Sequence, residues 1–173
     1  MHMSEDRVRQ LLRSLDAAWT AFKESYAGLP DAQLLEPGVM GDWAVKDILA
    51  HVTTWEEEAL KYLPLLIEGG RPPRYVTYGG IDAFNDRMAA QKRGLSLSEV
   101  RRQLDEIHGR LVEFIRSAPA DQLRGETRFR RRLRLDTYGH YPEHAEAIRK
   151  WRDRSPDRRR AEHGRERESR RSS

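Results

Sequence analysis

Two histidines with a spacing that suits metal binding lie near the end of the sequence, in the stretch DTYGHYPEHAEAIRKW at residues 136–151. Residues four positions apart in an α-helix lie on the same face, so His140 and His144 can both reach one ion. Pro142 lies between them, and proline is disfavoured inside a helix but tolerated in its first turn. The spacing therefore allows two interpretations: half of a metal site, or two solvated histidines near the start of a helix.

A third histidine, His51, lies in another predicted helix, at the border of its apolar stripe. Three imidazoles from two facing helices can form one side of a coordination sphere and leave other positions open, which is typical of a catalytic metal site. Imidazole ligands favour zinc, nickel or iron(II). A lone histidine in this place is more often a core residue, and spacing alone does not separate the two. His108 is expected to be a partly buried structural histidine.

Four long segments with apolar residues at helical spacing must position these histidines. They run over residues 4–26, 42–68, 97–118 and 137–151, with a shorter helix at 81–91. No stretch alternates with period two over more than a few residues, so the pattern predicts an all-α fold, a four-helix bundle.

Two details of these segments bear on the helix boundaries. Ser96 and Glu99 form a capping box that marks the start of the third long helix. The arginine-rich linker at 124–134 either extends a helix or forms an extended strap.

The basic charge is concentrated at the C-terminus. The chain has a formal net charge of +4, but residues 152–173 contain nine arginines, five acidic residues and no large apolar side chain. Residues 1–151 are therefore formally neutral and are predicted to form a single domain. A segment with nothing apolar to bury cannot offset its ordering entropy, so residues 152–173 are expected to be a disordered tail or at most a frayed extension of the last helix. A nucleic-acid partner for this tail is the less favoured interpretation.

The sequence contains no cysteine, so it has no thiolate ligand or cysteine nucleophile, and any thiol chemistry needs a thiol from a cosubstrate. Apolar runs are too short to span a membrane, and the N-terminus lacks a secretory signal. We therefore expect a cytoplasmic protein without a membrane partner.

Three motifs resemble a known family. The stretch GDWAVKDILAHVTTWEEEAL at 41–60 resembles the second-helix signature of DinB-like four-helix bundles, and DTYGHYPEHAEAIRKW resembles their fourth-helix signature, most closely in the ClbS/DfsB branch. AFNDRM, with Asn85, is similar to a segment of that branch. The resemblance covers about residues 4–152. Ala44 departs from the pattern, because the family often has a serine there that can cap the second helix; Asp42 is the expected replacement.

The resemblance implies an up-down-down-up bundle, usually dimeric, with a divalent metal ion held by His51, His140 and His144. Relatives include transferases and isomerases that use low-molecular-weight thiols. In the ClbS/DfsB branch they include a self-resistance hydrolase that acts on a reactive natural product.

Four residues are candidates for catalytic roles beside a metal ion. Asp47 and Glu58 lie one turn before and two turns after His51 and can transfer protons or support the ligands. Asn85 can hydrogen-bond a substrate, and Tyr141 can line a pocket. Glu143 directly precedes His144 and is expected to point away from the site.

Three functions follow as hypotheses. The first is a metal-dependent enzyme of small-molecule detoxification or self-resistance, a hydrolase or thiol S-transferase that acts on an electrophilic metabolite, and it is expected to be a homodimer. The second is a metal-free binding protein or hydrolase of the ClbS/DfsB type for a reactive natural product. The third is a binding protein whose basic tail contacts nucleic acid or an acidic partner.

Overall fold

The computed structural model describes residues 2–160, with side chains from Glu5 onward, and this part of the chain contains helices and no strand. The all-α prediction is confirmed. The helices are α1 (His2–Tyr26), α2 (Asp31–Leu34), α3 (Val45–Ile67), α4 (Ile81–Lys92), α5 (Leu97–Ser117), α6 (Ala120–Leu123), α7 (Arg128–Asp136) and α8 (Tyr141–Asp153), with a 3₁₀ turn at Tyr75–Tyr78.

Helices α3 and α5 run in the same direction. Lys46 at the start of α3 donates to the carbonyl of Arg93, just before α5, at 3.2 Å. About eleven residues after the start of each helix, His108 Nδ1 of α5 donates a hydrogen bond to Glu56 Oε1 of α3 at 2.8 Å. The two contacts therefore occur in the same order along α3 and α5, as they do in a parallel pair of helices.

Helix α1 runs opposite to this pair, and α8 runs with α1. Trp19 stacks on His108, while Lys23, one turn later in α1, pairs with Asp105, one turn earlier in α5, at 2.6 Å. Arg149 of α8 donates to the carbonyl of Ala21 at 3.3 Å, and contacts near the end of α8 reach the end of α1. The directions correspond to the up-down-down-up bundle that the family resemblance implies.

The core is formed by the apolar stripes that the sequence predicts, and burial of each large side chain contributes about 2 kcal/mol. Fully buried members come from α1, α3, α5, α7 and α8, among them Leu15, Phe22, Ile48, Leu49, Leu63, Leu104, Leu111, Ile115, Phe129, Leu133 and Ile148. The capping box of Ser96 and Glu99 is confirmed, with both hydrogen bonds at 3.2 Å.

The last long helix begins later than predicted, and the linker before it forms a helix of its own. The arginine-rich linker forms α7, and α8 begins at Tyr141 instead of Thr137. Between them the amide of Gly139 donates to the carbonyl of Arg134 at 2.9 Å. A Cβ at Gly139 would lie 2.7 Å from that oxygen, so this close approach requires glycine. Pro142 lies in the first turn of α8, where proline is tolerated.

The first residues of the predicted tail pack against the bundle. Helix α8 continues to Asp153, and buried Arg152 donates to the carbonyls of Ser25 and Ala27 at 3.1 and 2.9 Å. Arg158 lies 4.1 Å from the centre of the Trp151 ring. The prediction considered only apolar burial, whereas a guanidinium can be buried when its donors meet carbonyls at a helix end. Residues 161–173 lie outside the described residues, so their disorder stays a prediction.

Within residues 2–160, no helix has both the length and the apolar composition needed to cross a bilayer.

Candidate metal centre and its pocket

The bundle brings the three predicted metal ligands together. His51 lies in the second turn of α3, His140 lies in the break before α8, and His144 lies in the first turn of α8. His140 Nε2 lies 3.1 Å from His51 Nε2 and 2.8 Å from His144 Nε2. One ligand atom from each histidine lies within 4.8 Å of the others.

The chemistry of these nitrogens fits a cation. A neutral imidazole nitrogen carries either one proton or one lone pair. His140 Nε2 can therefore form a good hydrogen bond to only one of the other two Nε2 atoms. Three lone pairs directed at one ion would satisfy all three nitrogens at once. The donor set therefore fits a divalent metal ion better than it fits three free imidazoles.

Burial keeps the three rings in the form that binds metal. It lowers the pKa of His51 to about 3, of His140 to about 4 and of His144 to about 2, and the neighbouring histidines lower the values for His51 and His144 further. All three are therefore neutral at pH 7, as metal ligation requires.

The outer nitrogens of two ligands differ in their surroundings. His144 Nδ1 lies 3.3 Å from Met40 Sδ, a weak acceptor, which favours a proton on Nδ1 and leaves the Nε2 lone pair free. His140 Nδ1 is buried, and no residue of the described chain accepts a hydrogen bond from it. Metal-bound histidines usually donate this proton to an oxygen, so the ring of His140 is held mainly by packing.

The histidines form one wall of a pocket of about 500 Å³. Its lining combines aromatic and aliphatic side chains with a few charged or polar groups. The residues are Met40, Trp43, His51, Trp55, Tyr75, Ile81, Asp82, Asn85, Arg132, Leu135, Asp136, His140, Glu143 and His144. A mostly apolar pocket with a few convergent polar groups is what small-molecule sites present.

Two of the four predicted catalytic residues lie at or near this pocket. Asn85 lines it, and its Oδ1 accepts a hydrogen bond from Trp55 Nε1 at 3.0 Å. Glu58 lies behind the lining and accepts a hydrogen bond from the Tyr75 hydroxyl at 2.9 Å. Asn85 can therefore meet a substrate directly, whereas Glu58 reaches the pocket only through Tyr75.

The other two point elsewhere. Asp47 Oδ2 accepts a hydrogen bond from the amide of Ala44 at 2.8 Å, so Asp47 caps the first turn of α3, the role expected of Asp42. Tyr141 is fully buried in the core, where its hydroxyl donates to Glu56 Oε1. The structure does not bring either side chain to the pocket.

The sequence analysis did not identify several residues that line the pocket. Asp136 is buried, accepts a hydrogen bond from Arg132 Nε at 2.5 Å and lines the pocket. Burial outweighs the charge of Arg132 and raises the pKa of Asp136 to about 7. Arg132 also donates to the Tyr75 hydroxyl at 2.7 Å. The i, i+4 spacing of Arg132 and Asp136 indicates an ion pair only once the linker is known to be helical.

Glu143 lines the pocket, contrary to the expectation that it points away. The expectation treated His140 and His144 as members of one helix. His140 precedes α8, so the direction of its side chain is not set by the helical spacing. Glu143, in the first turn of α8, can therefore lie on the same side as the histidines.

Comparison with protein-family models matches the chain to the Mycothiol maleylpyruvate isomerase N-terminal domain over residues 15–137. This range contains His51 and ends just before His140. A search of curated proteins found no match.

Two solved structures share the fold. One is described as "Sibling Lethal Factor Precursor - DfsB", and the other is an uncharacterised protein from Escherichia coli UTI89. Each has a TM-score of 0.69 and 16% identity over 85% of this chain, which corresponds to 95% of the first structure and 93% of the second. These matches concern the helical bundle as a whole.

Proposed function

This chain belongs to the Mycothiol maleylpyruvate isomerase N-terminal domain family of DinB-like bundles, and we propose that it is a metal-dependent enzyme acting on an electrophilic small molecule. The main observation in support of this proposal is that His51, His140 and His144 converge on one point in the wall of a pocket. Zinc, nickel and iron(II) suit three imidazoles. The proposal includes a homodimer, in keeping with the family resemblance.

The reaction is proposed to be hydrolysis or addition of a thiol. The bound ion would supply Lewis acidity and lower the pKa of the attacking water or thiol. The chain has no cysteine, so the thiol must come from a cosubstrate, and the family name points to low-molecular-weight thiols of the mycothiol kind.

The chain's own residues divide the remaining work. Trp43 and Trp55 exclude water from the wall beside the histidines. Asn85 presents its amide to the pocket, and Asp136 can take up or release a proton near neutral pH. Arg132 holds Asp136 in place through the 2.5 Å hydrogen bond.

Metal content tests the proposal most directly. The wild-type protein, purified without a tag, is expected to retain about one equivalent of a divalent metal by elemental analysis, and the His51→Ala, His140→Ala, His144→Ala triple variant is expected to lose it. Glu113→Ala is the control, because Glu113 is an exposed residue of α5 and lies outside the pocket lining. Equal, near-background metal in wild type and triple variant, also after incubation with zinc, nickel or iron(II), would reject the metal site.

A metal-free ClbS/DfsB-type binding protein or hydrolase is the second candidate. The observation that favours it is that the 2.8 Å contact between His140 Nε2 and His144 Nε2 has the length of an ordinary hydrogen bond between two neutral rings. In that case Asn85, Asp136 and Arg132 would bind the metabolite. Added metal would then leave the melting temperature of the protein unchanged, whereas a ligated ion raises it.

A further inference from the structure

Exposed apolar side chains are concentrated at the mouth of the pocket. The described residues include five large hydrophobic side chains that are exposed: Leu35, Val76, Tyr78, Ile81 and Leu135. Ile81 and Leu135 line the pocket itself and are 53% and 70% exposed. Val76 and Tyr78 belong to the 3₁₀ turn whose first residue, Tyr75, also lines the pocket.

Aromatic packing makes this surface continuous with the interior. The Tyr78 ring packs on Phe84 at a centroid distance of 5.1 Å, and Phe84 packs on Tyr75 at 4.9 Å and on Trp55 at 5.4 Å. Trp55 lies in the pocket wall together with His140. An apolar path therefore runs from the histidines to the outer surface.

This concentration is unusual for so polar a chain, in which 35% of the residues are charged. Scattered exposed apolar residues need no explanation, but a cluster that continues a concave pocket marks a binding surface. Ile81 and Leu135 come from two different helices, α4 and α7, and both belong to the pocket lining. Continuity with the pocket identifies the occupant as a molecule that enters it.

We propose that the substrate is amphipathic: its polar, reactive group lies at the histidines, and an alkyl or aryl portion extends over Ile81 and Leu135 to the mouth. The position of the polar group rests on the proposed metal site. The binding of the apolar portion depends only on side chains that the chain itself supplies.

A homologous series of probes tests this proposal. Linear alkyl hydroxamates with two to ten carbons carry the same metal-binding head group and differ only in chain length. Their dissociation constants are measured on zinc-loaded protein by calorimetry. Affinity is expected to rise by about fourfold for each added methylene while the chain is being buried, and to level off once the chain passes the mouth.

Serine substitutions at the mouth locate the effect. Ile81→Ser and Leu135→Ser are expected to leave the affinity of acetohydroxamate unchanged and to weaken the longest hydroxamates by about tenfold or more. Both side chains are exposed, so these variants should fold. Leu35→Ser is the matched control, because Leu35 is 50% exposed and lies outside the pocket lining.

A second series separates this proposal from the metal site. Linear alkanols from butanol to decanol are titrated into metal-free protein, and the change in tryptophan fluorescence is the readout, because Trp43 and Trp55 line the pocket whereas Trp19 and Trp151 do not. If the protein binds no metal but alkanol affinity rises with chain length and falls in Leu135→Ser, the metal site is wrong and the apolar site stands.

Three results would overturn the proposal. The first is an affinity independent of chain length in both series. The second is an equal loss in Leu35→Ser and Leu135→Ser. The third is a change of oligomeric state in Ile81→Ser or Leu135→Ser, seen by sedimentation, with an unchanged dependence on chain length, because a second copy of the chain would then cover this surface.

Discussion

The hydroxyl of Tyr141 donates a hydrogen bond to the fully buried carboxylate of Glu56. Tyr141 directly follows His140, one of the three proposed metal ligands, and Glu56 lies on α3, the helix that carries His51. The same Glu56 oxygen accepts a hydrogen bond from His108 of α5, whose ring stacks on Trp19 of α1 at 3.6 Å. One carboxylate in the core therefore links all the long helices and fixes the start of α8 relative to α3.

Tyr141→Phe is expected to lower the free energy of unfolding by about 1–3 kcal/mol, because a buried carboxylate loses a donor. It should also weaken metal binding, because the hydrogen bond to Glu56 positions the residue that directly follows His140. Chemical denaturation and a competition titration with a zinc chelator measure the two effects. Tyr138→Phe is the control, since Tyr138 is half-buried and lies in the same turn. Equal metal affinity in wild type and Tyr141→Phe would contradict the second expectation.

Gly139→Ala is expected to destabilise the metal-free protein by about 1–3 kcal/mol and to weaken metal binding, because the new Cβ would push against the Arg134 carbonyl 2.7 Å away. Gly109→Ala is the control: nothing lies within 4 Å of a Cβ at that position in α5, so alanine should stabilise the helix by up to about 1 kcal/mol. Urea unfolding of both variants checks the contrast. A neutral Gly139→Ala would show that the break between α7 and α8 can relax.

Asp136→Asn tests the raised pKa of the pocket carboxyl. The folded state holds the Asp136 proton up to about pH 7, whereas the unfolded chain releases it near pH 4, so the folded state binds more protons between these values. Wild-type stability should therefore fall, relative to Asp136→Asn, as the pH rises from about 4 to 7. Denaturation of both metal-free proteins across this range measures the difference. Parallel curves would mean that Arg132 keeps Asp136 ionised throughout.

Arg152→Gln tests whether the segment after Trp151 is part of the folded domain. Its guanidinium meets the carbonyls of Ser25 and Ala27 at the end of α1, so the substitution should cost about 2–4 kcal/mol of unfolding free energy. Arg154→Gln is the control, because Arg154 is exposed and its charge is the same. Thermal unfolding of the two variants is compared. Equal melting temperatures would restore the boundary predicted at residue 152.

The sequence by itself determined most of the helices and identified three histidines as candidate metal ligands. The apolar stripes of residues such as Leu15, Ile48 and Leu111 predicted the buried faces, because helical periodicity is a local property of the chain. The capping box of Ser96 and Glu99 is equally local, since both partners lie within one turn. The three histidines were identifiable because imidazole has few other reasons to recur at these positions in a family motif.

Only the tertiary structure decided how the last segment is divided and which side chains reach the pocket. The prediction began the last helix at Thr137, whereas the hydrogen bond from Gly139 to Arg134 closes a break after α7, and α8 begins only at Tyr141. That break turns Tyr141 into the core towards Glu56 and allows Glu143 and Asp136 to line the pocket. These outcomes depend on contacts between residues far apart in the chain, and helical spacing contains no information about such contacts.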